Sequence, residues 1–256
     1  MIYTQSWGTG AQEALMLHCS LASSDAWRGM AAYLGDILAM TGFDFQSHGK
    51  SGDWDREGDY HAVCTADAHD LLTRPMHLIG HSFGATVALR LALEHPEMVR
   101  SLTLIEPVFF AVADGSKAYA EHMAAFQPFA EAMQRGDHEA AARLFTDEWG
   151  TGADWDTLPA AMRGYMTARI GLIPTTVPSL YEDNAGMAAP ARLEAMACPV
   201  LLVEGARSPS IVAAINDALA ARLPNVQRLR VKGASHMLPI THSAEVAEAI
   251  AGFLPL

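Results

Sequence analysis

Short apolar runs alternate along the chain with longer stretches in which apolar residues recur at helical spacing. The runs lie at 14–19, 37–40, 76–79, 102–105, 200–203 and 226–231, and the helical patterns lie at 25–34, 60–72, 85–94, 210–223 and 244–253. Runs without polar alternation favour strands that are covered on both faces. Alternating strands and helices predict a largely parallel sheet with crossover helices. The opening segment 2–7 is a candidate antiparallel edge strand.

This alternation stops after Glu106. From about residue 109 to 189 the chain has no convincing central strand, but it has helical stretches rich in Ala, Met and Glu, such as 116–133 and 138–149, separated by prolines. The strand pattern resumes after Cys198. We therefore predict a core domain formed by residues 1–108 and 190–256. Residues 109–189 are predicted to form an inserted helical cap.

The strongest chemical signal is a five-residue turn at 80–84, which reads Gly-His-Ser-Phe-Gly. It follows an apolar run and opens a helical pattern, which is the setting that a nucleophile elbow requires. The turn must be sharp, so small residues are needed beside the serine. The start of the helix supplies backbone N–H groups near the developing negative charge. We predict that Ser82 is a nucleophile; the alternative is a solvent-facing serine in a glycine-rich turn.

Three further segments occur in an order that matches this turn. They read Leu-His-Cys-Ser at 17–20, Asp-Phe-Gln-Ser-His-Gly-Lys-Ser at 44–51 and Gly-Ala-Ser-His at 233–236. With the turn at Ser82, they give the chain a resemblance to the α/β-hydrolase superfamily over nearly its whole length. The resemblance implies a mostly parallel sheet flanked by helices, with the cap inserted after the sixth strand in the family's numbering. Cys19 and Ser47 depart from the pattern, since glycine is usual at both positions.

The resemblance also implies the roles of individual residues. His236 would accept the proton of Ser82 and later pass it to the leaving group, and the ordinary pKa of histidine suits this work near neutral pH. The oxyanion would be held by the backbone N–H groups of Phe83 and Ser20. Leu21 is a substitute donor if the loop is offset by one residue.

The acid that orients His236 is less evident. The superfamily usually places an aspartate in the loop after the seventh strand, where this chain has Ser208. Some members carry the acid at the end of the sixth strand, which corresponds here to Glu106, and Glu204 is a second candidate close to the expected loop. We favour Glu106, because a carboxylate at the end of an apolar strand needs a partner and Pro107 stops the strand there.

Composition narrows the function classes. The 256 residues carry a formal net charge of −12, which disfavours binding to nucleic acid. No apolar run approaches the length of a membrane span, and the N-terminus lacks the pattern of a signal peptide, so we expect a cytoplasmic protein. The three cysteines lie far apart and form no CxxC pair. The sequence implies no metal or organic cofactor, and it leaves a homodimer open.

We therefore predict a serine hydrolase that cleaves a small, fairly apolar ester, thioester or lactone through an acyl-enzyme. One alternative is carbon–carbon bond hydrolysis by the same residues. Another is a small-molecule receptor built on a hydrolase fold, to which the departures at Cys19 and Ser208 give weight. A haloalkane dehalogenase is disfavoured, because it would need an aspartate at the position of Ser82.

Overall fold

The structure of the protein, a computed structural model, describes residues 1–254. Within this part of the chain, seven strands form one sheet. They are β1 (Thr4–Trp7), β2 (Gln12–Leu17), β3 (Leu38–Phe43), β4 (Met76–His81), β5 (Val99–Ile105), β6 (Val200–Gly205) and β7 (Val226–Val231). Their order is β1-β3-β2-β4-β5-β6-β7, and only β1 pairs antiparallel. The predicted α/β class and the antiparallel edge strand are confirmed.

Helices connect the strands and cover both faces of the sheet. The α-helices of residues 1–254 are α1 (Arg28–Leu34), α2 (Tyr60–Asp70), α3 (Phe83–Glu94), α4 (Lys117–Gln134), α5 (His138–Trp149), α6 (Ala160–Arg169), α7 (Val177–Leu180), α8 (Ser210–Ala220), α9 (Leu238–Thr241) and α10 (Ser243–Phe253). The larger apolar core lies on the side of α2, α3 and α8, and a second core lies beneath α1 and α10. Of the helices described, none is long and apolar enough to cross a bilayer.

Burial explains why the central strands read as unbroken apolar runs. All six residues of β4 and all six of β6 are buried, whereas β1 and β7 at the two edges each have exposed positions. The third strand is longer than the predicted run at 37–40, because it continues through Thr41 and Gly42 to Phe43. A Cβ at Gly42 would press on the Trp7 indole, so this break in the apolar run is a packing requirement.

The sheet topology brings the carboxyl ends of its six parallel strands to one edge. The chain passes from β2 to β3 and then returns to the other side of β2 to form β4, and ligands of such sheets bind at this switch point. Leu17 pairs with Gly80, and His81 pairs with Ile105. The loops that follow β2, β4 and β5 therefore emerge side by side at the carboxyl edge.

Between β5 and β6 the chain forms only helices and turns, and these lie across that edge. β5 is the strand that the family's numbering counts as sixth. The inserted helices have an apolar cluster of their own that includes Phe129 and Trp155. The Tyr165 hydroxyl of α6 donates to the Ala22 carbonyl at 3.0 Å and accepts from the Gly49 N–H at 2.8 Å. The limits of the cap domain remain a prediction.

Candidate active site

Ser82 lies in a strained turn between β4 and α3. Its φ of 55° and ψ of −118° fall outside the regions that non-glycine residues favour. The two flanking glycines make the turn possible. A Cβ at Gly80 would collide with the backbone of Gly84, and a Cβ at Gly84 would collide with the carbonyl oxygens of Leu17 and His18. The glycines therefore allow α3 to begin directly against the end of β2.

Three side chains from different strand ends form one hydrogen-bonded chain. The Ser82 Oγ lies 3.0 Å from His236 Nε2, and His236 Nδ1 lies 3.0 Å from Glu106 Oε2. All three residues are buried, with exposed fractions of 7%, 3% and 0%. A carboxylate, an imidazole and a hydroxyl in this order are the groups that activate a serine for nucleophilic attack.

Glu106 is held by the loop in which the family usually carries its acid. Its Oε1 accepts from the Gly205 N–H at 2.6 Å and from the Ser208 hydroxyl at 2.8 Å. The other oxygen, Oε2, is left for His236. Glu106 has a φ of 51°, a strained value for glutamate, and its N–H donates to the Val203 carbonyl at 2.8 Å. Ser208 thus contributes a hydrogen bond to the Glu106 carboxylate from the loop in which the resemblance to the family implies an aspartate.

Glu204, the alternative acid, is used elsewhere. It accepts from the Asn216 amide at 2.9 Å, and its two oxygens lie 3.5 Å from the guanidinium groups of Arg228 and Arg230. These partners sit on α8 and β7. The geometry therefore favours Glu106 over Glu204 as the partner of His236.

Two aromatic side chains fix the position of His236. His81 Nε2 lies 2.8 Å from the His236 carbonyl oxygen, and burial lowers the pKa of His81 well below its ordinary value. His81 is therefore neutral, and its N–H donates to that carbonyl. The Trp149 indole of the cap meets the His236 ring edge to face, with centroids 4.7 Å apart. Neither contact was predicted from the sequence, because neither residue carries a motif that indicates it.

Ser20, in the loop after β2, lines the same cavity as Ser82. The Leu21 N–H already donates to His48 Nε2 at 3.0 Å, so it is not free to serve as the substitute donor. Among the hydrogen bonds of residues 1–254, none uses the N–H of Ser20 or of Phe83. The role of these two N–H groups as oxyanion donors remains a prediction.

Two buried histidines organise this loop. His18 Nδ1 donates to the Cys19 carbonyl at 2.7 Å, and its Nε2 accepts from the Phe45 N–H at 3.1 Å. Burial lowers the pKa of His18 to about 4 and that of His48 to about 3, so both act as neutral bridges between backbone groups. Cys19 has no positive φ, which explains why glycine is not needed there.

Ser47, the second departure from the family pattern, does adopt the left-handed conformation that glycine tolerates, with a φ of 62°. Its hydroxyl accepts from the Trp54 N–H at 2.9 Å, and its carbonyl accepts from Arg169 Nε at 2.9 Å. The backbone at Ser47 is therefore more strained than it would be with glycine, but the serine side chain makes a hydrogen bond that glycine cannot make.

A cavity between Ser82 and the cap encloses about 440 Å³ of empty space, a figure that includes space open to solvent. Five aromatic side chains line it: Phe110, Phe126, Phe145, Trp149 and Tyr181. The other lining residues are Ser20, Ser82, Val108, Ile173, Thr176, Val177 and Leu180. No charged side chain of the described residues lines it. The Tyr181 hydroxyl is paired with His122 Nε2 at 2.8 Å, and the cavity is therefore mostly apolar around the Ser82 hydroxyl.

Comparison with known families matches residues 14–249 to the family described as "Alpha/beta hydrolase family". The chain belongs to the alpha/beta hydrolase family. The match spans both parts of the predicted core and the whole insertion. The structural resemblance inferred from the four sequence segments is thereby confirmed.

Several relatives of this alpha/beta hydrolase are esterases or lipases. It is 28% identical over 266 residues to a pimeloyl-[acyl-carrier protein] methyl ester esterase of Methylococcus capsulatus, covering 99% of this chain and 98% of that one. It is 35% identical over 101 residues to the monoacylglycerol lipase abhd6-B of Xenopus laevis, covering 36% and 29% of the two chains. A bromoperoxidase from Bacillus anthracis has the same fold, with a TM-score of 0.75, 22% identity and coverage of 99% and 95%. The chain is therefore an enzyme of the hydrolase class.

The predicted site residues of this alpha/beta hydrolase meet at the carboxyl edge of its sheet. Ser82, His236 and Glu106 form the chain of hydrogen bonds, Phe83 follows the serine in the chain, and Ser20 lines the same cavity. The hydrogen bond from Ser208 to Glu106 is not predicted from the sequence. The sequence does contain one signal for this hydrogen bond. Ser208 follows β6 and Glu106 follows the neighbouring strand β5, so a hydroxyl and a carboxylate emerge at the same edge of the sheet.

Proposed function

We propose that this hydrolase cleaves a small, fairly apolar carboxylic ester, thioester or lactone through an acyl-enzyme formed on Ser82. The observation that carries the proposal is the hydrogen-bonded chain from Glu106 through His236 to Ser82, at the wall of a mostly apolar cavity. A serine in a strained turn beside a buried imidazole and two unused N–H groups is arranged for acyl transfer.

In the first half-reaction, His236 Nε2 takes the proton of the Ser82 hydroxyl while the Ser82 Oγ attacks the carbonyl carbon. The N–H groups of Ser20 and Phe83 hold the oxyanion of the tetrahedral intermediate. When the intermediate collapses, the bond to the leaving group breaks and His236 returns the proton to it. Water then repeats the sequence on the acyl-enzyme, with His236 as base, and releases the acid and the free serine.

Glu106 would keep the imidazole in one orientation and one tautomer. Its Oε2 accepts from Nδ1 of His236, so Nε2 is the nitrogen without a proton and faces Ser82. The negative charge of Glu106 would also stabilise the imidazolium that forms in each step. Glu106 is completely buried, which keeps water from competing for His236 Nδ1.

The lining of the cavity supports an apolar substrate. Aromatic and aliphatic side chains surround the serine, and a charged group would lose its hydration there without gaining an opposite charge. The names of the full-length esterase relatives support an ester as the bond that is cleaved.

Labelling with a fluorophosphonate tests the proposal directly. We expect one equivalent of probe on Ser82 of the wild-type protein and none on Ser82→Ala, whose circular dichroism spectrum should match the wild type. We also expect hydrolysis of p-nitrophenyl butyrate by the wild type alone. Folded wild-type protein that takes no label and cleaves no ester would instead support a receptor function.

A further inference from the structure

A surface groove lies between the cap helices α4 and α5. We call it the cap groove and define it by Phe126 and Phe129 of α4 with Leu144 and Phe145 of α5. It holds about 760 Å³ of empty space, including space that is open to solvent. The groove is lined mainly by apolar side chains, although it lies on the surface of the molecule.

The cap groove and the cavity at Ser82 share a wall. Phe126 and Phe145 line both of them. Each ring is partly exposed, and both rest on the buried ring of Phe129, with centroid distances of 4.6 Å and 6.1 Å. Two half-buried rings are therefore what separates the candidate active site from the groove.

Exposed apolar side chains continue beyond this wall. Leu144 in the groove is 37% exposed, and Met123, one turn before Phe126 on α4, is 43% exposed. Asp147 and Glu148 also line the groove. Their negative charge disfavours a ligand that ends in a carboxylate, whereas the apolar floor favours a hydrocarbon chain.

We propose that the cap groove is the binding site for the distal part of a long acyl or alkyl chain of the substrate. The chain leaves the cavity at Ser82 by displacing the rings of Phe126 and Phe145, and its outer carbons lie against Leu144. The occupant is inferred from the shared wall, because a chain that displaces these two rings passes directly from the cavity into the groove. Among the fairly apolar esters of the proposed function, this inference selects neutral ones whose chain extends past the cavity, instead of the smallest ones. This inference rests on the proposed function of Ser82.

Chain-length selectivity tests the cap groove separately from the chemistry at Ser82. We would measure kcat/KM of the wild type for p-nitrophenyl esters from butyrate to laurate. We expect laurate to be cleaved at least as efficiently as butyrate. If butyrate is cleaved but kcat/KM falls steadily with each added pair of carbons, the chain does not use the groove and the proposal is wrong.

A matched pair of surface variants then locates the effect. Leu144→Gln should lower the ratio of laurate to butyrate kcat/KM about fivefold, because the outer methylenes lose an apolar contact. Met162→Gln, at a methionine of α6 that is 49% exposed and outside the groove, should leave that ratio unchanged. Equal ratios in Leu144→Gln and the wild type would overturn the assignment. Absence of any ester cleavage by the wild type would instead count against the proposed function itself.

Discussion

Replacing Glu106 by glutamine is the sharpest test of the site. The substitution keeps the shape of the side chain and removes its charge. In the structure the Gly205 N–H and the Ser208 hydroxyl both donate to Oε1. The amide oxygen of the glutamine will therefore occupy the Oε1 position, and its NH₂ group must face Nδ1 of His236.

The consequence is a change of tautomer. An NH₂ group can only donate to His236 Nδ1, so the ring proton moves to Nε2, the nitrogen 3.0 Å from the Ser82 hydroxyl. A protonated Nε2 cannot take the proton of the serine. Converting the acid of such a triad to an amide lowers kcat by about 10⁴-fold, which corresponds to about 5 kcal/mol of transition-state stabilisation.

The assay is kcat for p-nitrophenyl butyrate, measured together with thermal unfolding to verify that the variant is folded. Glu204→Gln is the matched control, because Glu204 is paired with Asn216 and the arginines of β7 and should retain activity within a few-fold. A folded Glu106→Gln variant that retains more than a tenth of the wild-type kcat would refute the tautomer argument. A large loss of activity in Glu204→Gln alone would identify Glu204 as the acid, and the assignment to Glu106 would then be wrong.

Two further predictions concern hydrogen bonding and pH. Ser208→Ala removes one of the two donors to Glu106 and should lower kcat about tenfold, whereas Ser208→Thr retains the hydroxyl and should lose less; equal activity in both would contradict a role for that hydrogen bond. The pKa values of His18 and His48 are lowered to about 4 and about 3 by burial, so the unfolded chain binds their protons more readily than the native protein does. Keeping these histidines neutral therefore costs no free energy of unfolding above the unfolded pKa of about 6.5. As the pH falls from there towards the native pKa values, the free energy of unfolding decreases, by about 2 kcal/mol per histidine at pH 5. Thermal unfolding should therefore occur at lower temperature at pH 5 than at pH 7.5, and an unchanged Tm would contradict the neutral assignment.

Much of the core could be predicted because its determinants are local. The buried runs mark β2, β4 and β6, and the glycines beside Ser82 mark a turn that no larger side chain fits. Parallel strands end at one edge, so the residues that follow them were expected to meet there. The sequence therefore predicts that Ser82, Glu106 and His236 lie close together.

The contribution of the insertion could not be predicted in the same way. Amphipathic spacing indicates that α5 is a helix, but it does not say which surface the helix docks against or that Trp149 meets His236. The hydrogen bond from Ser208 to Glu106 joins residues 102 positions apart and follows no periodic pattern. Both features depend on tertiary placement, which apolar spacing does not specify.

The hydroxyl of Tyr165 bridges the cap and two core loops, and this has a consequence for substrate entry. Swinging the insertion outwards as one rigid body would leave the Gly49 N–H and the Ala22 carbonyl without protein partners. We therefore expect substrates to enter through rapid rotation of individual side chains instead of slow hinge opening. A covalent cross-link between α6 and the core should then leave turnover intact, an outcome that a swinging lid does not allow.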